Sequence, residues 1–172
     1  MVQPEGHPEA LRRRVVILFF SGLLLMAVIA VGLGWVSAGW GSFYLGWINQ
    51  SAGIFLSSGG LALVVWSVHV QYEIGRGTPA PAVATQTLVT QGPYTYTRNP
   101  MTLGALLMYL GIGIWMGSGV VVILTLLVFS GLLTYIYIHE TQELTERFGE
   151  AYLAYKKRTP FLLPGWRRQS EE

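Results

Sequence analysis

The 172-residue chain contains no cysteine, so disulfides, thiol nucleophiles and thiolate metal sites are excluded from the start. Charge is almost as scarce. Asp, Glu, Lys and Arg together make up 12% of the residues, about half the fraction usual in soluble domains. The charges that exist are segregated: Arg14 is followed by none until Glu73, and Arg98 by none until Glu140. Uncharged apolar runs of this length, interrupted by turn residues, argue against a water-soluble globule and read as membrane spans. The net charge of +2 is small and the basic residues collect at the ends of the runs, so no nucleic-acid partner is expected.

What remains is 52% apolar, and it divides into four spans, at about 15–36, 51–70, 101–116 and 120–138. The third is short for a bilayer of about 30 Å, which takes roughly 20 helical residues. It is joined to the fourth by Gly117-Ser118-Gly119, which leaves room only for a tight helical hairpin. With four spans, both termini and the central loop share one side of the membrane. Every Lys and Arg then falls on that side, while the opposite loops at 37–50 and 117–119 carry none. By the positive-inside rule that side is cytoplasmic. The apolar stretch after Arg12–Arg14 is longer than the roughly 7–15 residues of a signal-peptide core, so an uncleaved anchor is expected. The fold class is therefore an all-α, multi-pass protein of the cell membrane with four transmembrane helices and a cytoplasmic amphipathic C-terminal helix. Its expected organisation is a tail (1–14), two spans (15–70), a cytoplasmic loop (71–100), a helical hairpin (101–138) and a C-terminal helix and clamp (139–172).

In the last of these, Leu144, Phe148, Tyr152 and Tyr155 recur at helical spacing and share one face of a helix drawn over 141–157. Thr159-Pro160 ends that helix, and Phe161–Trp166 can return to the interface as an apolar clamp. Several other features have plain structural readings. Gly32-Leu33-Gly34, with Gly39 beyond it, has no preceding strand and reads as helix packing, not as a nucleotide loop. Gly113 and Gly117 have the small-xxx-small spacing of packed helices. His139-Glu140-x-x-Glu143 lacks the second histidine of a zinc motif, so no metal is expected. His69 reads as packed or interfacial, and Tyr94, Tyr96, Trp115 and Trp166 can be belt aromatics.

Two polar knots resist such readings. The segment from Gln91 to Gly104 sets Arg98 and Asn99 at the mouth of span three, and His139–Glu143 ends span four. An ionised group at a helix mouth costs free energy unless something polar is held beside it. Because spans three and four form a hairpin, their open ends lie side by side, which brings Arg98 and Glu140 to one place. The bland reading is a structural ion pair. The functional one is a site of opposite charges beside a lipid-accessible groove, suited to a zwitterionic head.

The stretch from Gly75 to Pro164 resembles the isoprenylcysteine carboxyl methyltransferase and phospholipid methyltransferase family of membrane enzymes. The resemblance is carried by Gly77-Thr78-Pro79-Ala80-Pro81, Leu88–Tyr94, Arg98-Asn99-Pro100-Met101, Leu103-Gly104, His139-Glu140, Phe148–Pro160 and Leu163-Pro164, in that order and spacing. It implies methyl transfer from S-adenosylmethionine to a lipophilic small molecule or lipid at the cytoplasmic face. It also implies that Gln86, Thr87, Leu88, Val89, Tyr94, Asn99, Pro100, Met101, Thr102 and Glu140 line the cofactor pocket. Arg98 and Glu140 would be the catalytic pair, with Arg98 neutralising the donor's carboxylate. Measured against the family, Asn99 stands in place of a common histidine, Thr102 of a tyrosine and Thr141 of a paired glutamate. Ile136 stands where the isoprenylcysteine enzymes have a substrate-binding arginine, which argues against a prenylated carboxylate as acceptor. The second reading is a non-catalytic membrane protein that keeps the scaffold as an accessory.

Overall fold

The computed structural model describes residues 9–78 and 85–163, without the side chains of Glu140 and Thr141. The expectations placed on Pro79–Pro81, on Pro164–Trp166 and on the Glu140 carboxylate lie outside the described residues. The chain forms α1 (Glu9–Val36), α2 (Trp47–Glu73), a 3-10 turn (Gly92–Thr95), α3 (Pro100–Met116), α4 (Gly119–Phe148) and α5 (Glu150–Arg158). Among the described residues there is no strand, only an isolated bridge between Ser42 and Ser118. Helices α1, α2 and α4 are long and apolar enough to cross a membrane, and α3 is a shorter apolar helix of 17 residues. The expected four spans thus correspond to three helices of spanning length and one that falls short.

The hairpin follows from local chemistry. Pro100 occupies the first turn of α3, where its missing N–H costs nothing. Gly117 ends the helix in the left-handed conformation at φ 65°, with its N–H turned back onto the Gly113 and Ile114 carbonyls. Ser118 then caps α4, its Oγ accepting from the Val121 N–H at 3.3 Å.

The middle of the molecule is the α2–α3 contact, made by small residues. An ideal Cβ at Gly60 would lie 2.5 Å from the Gly104 carbonyl oxygen, and one at Gly53 2.6 Å from the Gly111 carbonyl oxygen. Between them, the Ser57 hydroxyl donates to the Met108 carbonyl at 3.1 Å. Val64, Val68, Ala105, Met108, Tyr109 and Phe129 form the buried core beside this seam. Helix α1 is tied on at its middle and near its start: the Tyr109 hydroxyl donates to the Leu23 carbonyl at 2.9 Å, and the Arg12 guanidinium donates to the Tyr72 carbonyl and lies 3.9 Å over its ring. The glycine reading of α1 holds at Gly34, whose ideal Cβ would fall 2.5 Å from the Met116 sulfur; Gly32 and Gly39 meet nothing.

One boundary differs from the sequence reading. The helix drawn over 141–157 is not a single element: α4 runs on without a break through Phe148, and Gly149, at φ 52°, turns the chain into α5. The turn carries Tyr152 and Tyr155 away from the line of Leu144 and back beneath the loop, where both are buried.

At the opposite end of the bundle, Trp35, Trp40, Tyr44 and Trp47 are exposed around the 37–46 loop, an aromatic girdle of the kind found at bilayer interfaces. Asn49 holds this end together. It is 2% exposed, accepts from the Leu45 N–H at 3.1 Å and donates to the Ile114 and Trp115 carbonyls at 3.1 and 3.4 Å. Asn49→Leu strands these buried groups, and a loss of about 1–3 kcal/mol is expected. Thermal unfolding in micelles beside Ser58→Ala, an exposed hydroxyl on the same helix, checks it; equal melting temperatures would refute the capping role.

Candidate functional site

The last turn of α2, segment 85–99, the first turn of α3 and the distal half of α4, with Phe19 of α1 and Tyr155 of α5, enclose a cavity of about 490 Å³. Its polar floor is the Arg98–Asn99 knot, held from below by the C-terminal segment. The Arg98 N–H donates to the Pro160 carbonyl at 2.9 Å. The Thr97 hydroxyl and the Asn99 side-chain amide both donate to the Phe161 carbonyl at 3.2 Å. The Tyr155 hydroxyl donates to the Tyr94 carbonyl at 2.7 Å, fixing the 3-10 turn that presents Tyr94. The clamp expected of the residues after Thr159 is thus made, as far as it is described, by carbonyls and not by an apolar surface alone.

Arg98 is the most unusual group in the site. It is 8% exposed, its Nη1 donates to the Tyr152 hydroxyl at 2.8 Å, and its guanidinium lies 5.5 Å from the Phe161 ring centre. Its Nε is buried with no hydrogen-bond partner, and among the described residues no carboxylate lies within ion-pair distance of it. A guanidinium in this condition has lost water without gaining a counter-charge from the described residues, which is costly unless an anion comes to it. The Oε1 of Gln71, on the same cavity, is likewise buried and without a partner.

Of the residues named from sequence, Leu88, Val89, Tyr94, Arg98, Asn99, Pro100, Met101 and Thr102 line this cavity. Gln86 and Thr87 do not. The Gln86 N–H is committed to the Gly75 carbonyl at 2.8 Å, and the Thr87 hydroxyl donates to the Ile74 carbonyl at 3.0 Å, so the pair braces the loop against the end of α2. The backbone of residue 140 continues α4 at the cavity, but its carboxylate lies outside the described residues. His139 and Glu143, one turn apart on α4, reach the cavity; the His139 ring lies tilted against Tyr135, centroids 4.4 Å apart, and Glu143 pairs with Arg147 at 3.2 Å. Arg147 also donates to the Thr85 carbonyl, tying α4 to the loop. His69 is exposed, on an apolar groove between α1 and α2 and away from this site.

Sequence reasoning missed Gln71, Phe19 and Tyr135 as lining residues, and Tyr152 as the partner of Arg98. Gln71 carried a signal that could have been used: it is a neutral amide, where a span boundary could as well have held a basic residue. Phe19 and Tyr135 look like any other apolar or aromatic residue of a span. Phe19, Leu132 and Ile136 give the cavity an apolar wall formed by α1 and α4.

No curated protein matches the chain. The family model for phospholipid methyltransferase matches residues 48–151, which takes in α2, the loop, α3 and all of α4, and so every element that encloses the cavity except α1 and α5. With more than half its length so matched, the chain belongs to the phospholipid methyltransferase family.

Proposed function

We propose that the protein is an S-adenosylmethionine-dependent methyltransferase acting on a lipophilic acceptor, with its site at the cytoplasmic face of the membrane. The observation that carries this reading is Arg98, a buried cation without a carboxylate partner among the described residues, at the floor of a cavity whose far wall is apolar. A cavity of about 490 Å³ is within the usual range for small-molecule sites. The donor's parts find fitting groups there: Arg98 for a carboxylate, Glu143 for a cationic centre, and Leu88, Val89 and Met101 for an apolar face.

When bound, S-adenosylmethionine supplies a methyl group already activated by a positive sulfonium. The work left to this chain is to orient and to exclude water. Arg98 fixes one end of the ligand by a charge-assisted bond, and the partial positive charge at the start of α3 acts in the same sense. The Pro160–Phe161 strap closes the floor against the aqueous side. Phe19, Leu132 and Ile136 present an apolar wall to an acyl or prenyl chain coming from the bilayer. A carboxylate acceptor needs no base. A protonated amine does, and among the described cavity residues His139 and Glu143 are the side chains able to take its proton. The cytoplasmic assignment rests on the basic residues, since Arg12–Arg14, Arg76, Arg98, Arg147 and Lys156–Arg158 all belong to the cavity end of the bundle.

Titration of the purified protein with S-adenosylhomocysteine tests the donor. Saturable heat and a rise in melting temperature are expected; folded protein that gives neither refutes the reading. Incubation with labelled donor and a lipid extract, followed by mass identification of the product, then names the acceptor. Donor binding with no labelled product from any extract would mark a scaffold kept without its chemistry.

A further inference from the structure

We infer that Gln71 reads the adenine base of the methyl donor through its side-chain carboxamide. This rests on the proposal that the cavity binds S-adenosylmethionine, and it gives α2 a part in a site otherwise built from α1, the loop, α3, α4 and α5.

Gln71 lies in the last turn of α2 and lines the cavity. Its main-chain oxygen accepts from the Gly77 N–H at 3.4 Å, but its side chain makes no hydrogen bond among the described residues, and its Oε1 is buried. Gln71 as a whole is half-buried, but an amide oxygen buried in this state costs stability, because it has given up water without gaining a donor. Neighbouring polar side chains show that satisfaction was available. Ser67, one turn earlier and fully buried, donates to the Leu63 carbonyl at 2.6 Å. Gln71 instead holds its carboxamide toward the cavity.

The carboxamide also says which part of a ligand belongs there. It is neutral and planar, and it carries a donor and an acceptor side by side that exchange places on a half-turn of the terminal bond. Its natural complement is an uncharged edge with the same two features. The amine and adjacent ring nitrogen of adenine form such an edge, and glutamine pairs with it bidentately. The charged parts of the donor are better served elsewhere, its carboxylate by Arg98 and its cationic centres by Glu143. Beside Gln71 the buried cluster of Val70, Val89 and Tyr94, with Met101 packed on it, offers apolar surface for the faces of a flat base.

The test is calorimetric and needs no turnover. S-adenosylhomocysteine and its analogue with hydrogen in place of the 6-amino group are titrated into the full chain in micelles. Wild type is expected to favour the adenine ligand by about tenfold, the size of one good buried hydrogen bond. Gln71→Met, of equal length and with no hydrogen-bonding group, is expected to lose about tenfold in affinity for the adenine ligand and to bind the two ligands alike. Its ligand-free melting temperature is expected to equal or exceed that of wild type, because the unpaired amide is gone. Gln71→Glu keeps an acceptor for the 6-amino group and is expected to retain the preference. A wild-type preference for adenine carried over unchanged into Gln71→Met overturns the inference and leaves the donor reading standing. A ligand-free Gln71→Met that melts well below wild type overturns it too, by assigning the glutamine a structural role. Wild type that binds neither ligand takes down the donor reading, and this inference with it.

Discussion

Gly104→Val is expected to cost about 3 kcal/mol or more and to abolish ligand binding, the largest stability effect of any single substitution proposed for this chain. An ideal Cβ at Gly104 already lies 2.7 Å from the Gly60 carbonyl oxygen and 2.9 Å from the Val64 N, both backbone atoms that no rotamer change can move aside. The two helices would have to part. In a membrane this matters more than in water, because lipid tails are as apolar as leucine and nothing hydrophobic drives α2 and α3 together. Their association depends on the dispersion and carbonyl contacts that close approach allows, and separation forfeits them along the whole seam from Gly53 to Gly60. The seam also sets the site. Gln71 stands eleven residues beyond Gly60 on α2, and Pro100 and Met101 one turn before Gly104 on α3, so parting the helices pulls the two walls of the cavity apart. Thermal unfolding and calorimetry on the same sample check both claims. Gly59→Ala is the control: it is one residue away on α2, and its Cβ would meet nothing within 4 Å. It is expected to hold or slightly gain stability, by about 0.5–1 kcal/mol at most, since alanine is the better helix former. A Gly104→Val protein that melts with wild type would mean that the helices do not meet as described.

Sequence was a good guide wherever a single physical rule governs. Charge segregation located the apolar helices, with six of the eight drawn ends within four residues of the helix ends, while α1 starts six residues before its span and α4 runs ten residues past its own. Gly117-Ser118-Gly119 read as a hairpin because the left-handed stop and the serine cap are local events. The polar knot at Arg98 and Asn99 stands out because an arginine at a helix mouth demands a reason, and both residues line the cavity. Where two rules compete, the reading failed. The spacing of Leu144, Phe148, Tyr152 and Tyr155 satisfies one helical face, yet Gly149 takes φ 52° and breaks the helix there, so that Tyr155 reaches the Tyr94 carbonyl and Tyr152 the Arg98 guanidinium. That gain is tertiary and leaves no periodic trace. Gln86 and Thr87 show the converse: motif position put them with the pocket-lining residues, while their hydrogen bonds go to Gly75 and Ile74. Asn99 is a third case. A side chain at the helix N-cap is expected to cap it, yet this one makes no capping bond and its amide is spent on the Phe161 carbonyl. Asn99 thus serves as a strap holding the C-terminal segment to the floor of the cavity.

Arg98→Met is expected to weaken S-adenosylhomocysteine by about a hundredfold, roughly 2.7 kcal/mol, while leaving the ligand-free protein as stable as wild type or more so. The two halves of that expectation have one cause. In the free protein the guanidinium has, among the described residues, the Tyr152 hydroxyl and the face of the Phe161 ring at 5.5 Å in place of its water, with Nε unpaired. A buried charge so poorly compensated is a liability that a thioether of similar length removes. In the complex the same charge meets a carboxylate in a cavity from which water is excluded, and the attraction grows as the local dielectric falls. Arg98→Lys keeps the charge but not the fork that reaches both Tyr152 and a ligand, so an intermediate loss is expected. A structural role for Arg98 would predict the reverse pattern, a less stable variant whose ligand affinity is unchanged once folded. The decarboxylated analogue of S-adenosylhomocysteine closes the cycle: wild type should lose most of the hundredfold on going to it, and Arg98→Met should lose little further. If wild type binds both ligands equally, the anion that Arg98 awaits is not on the donor. The remaining anionic candidate for a phospholipid methyltransferase relative is the phosphate of its lipid acceptor, and the Arg98→Met defect would then follow the acceptor's headgroup charge in a turnover assay.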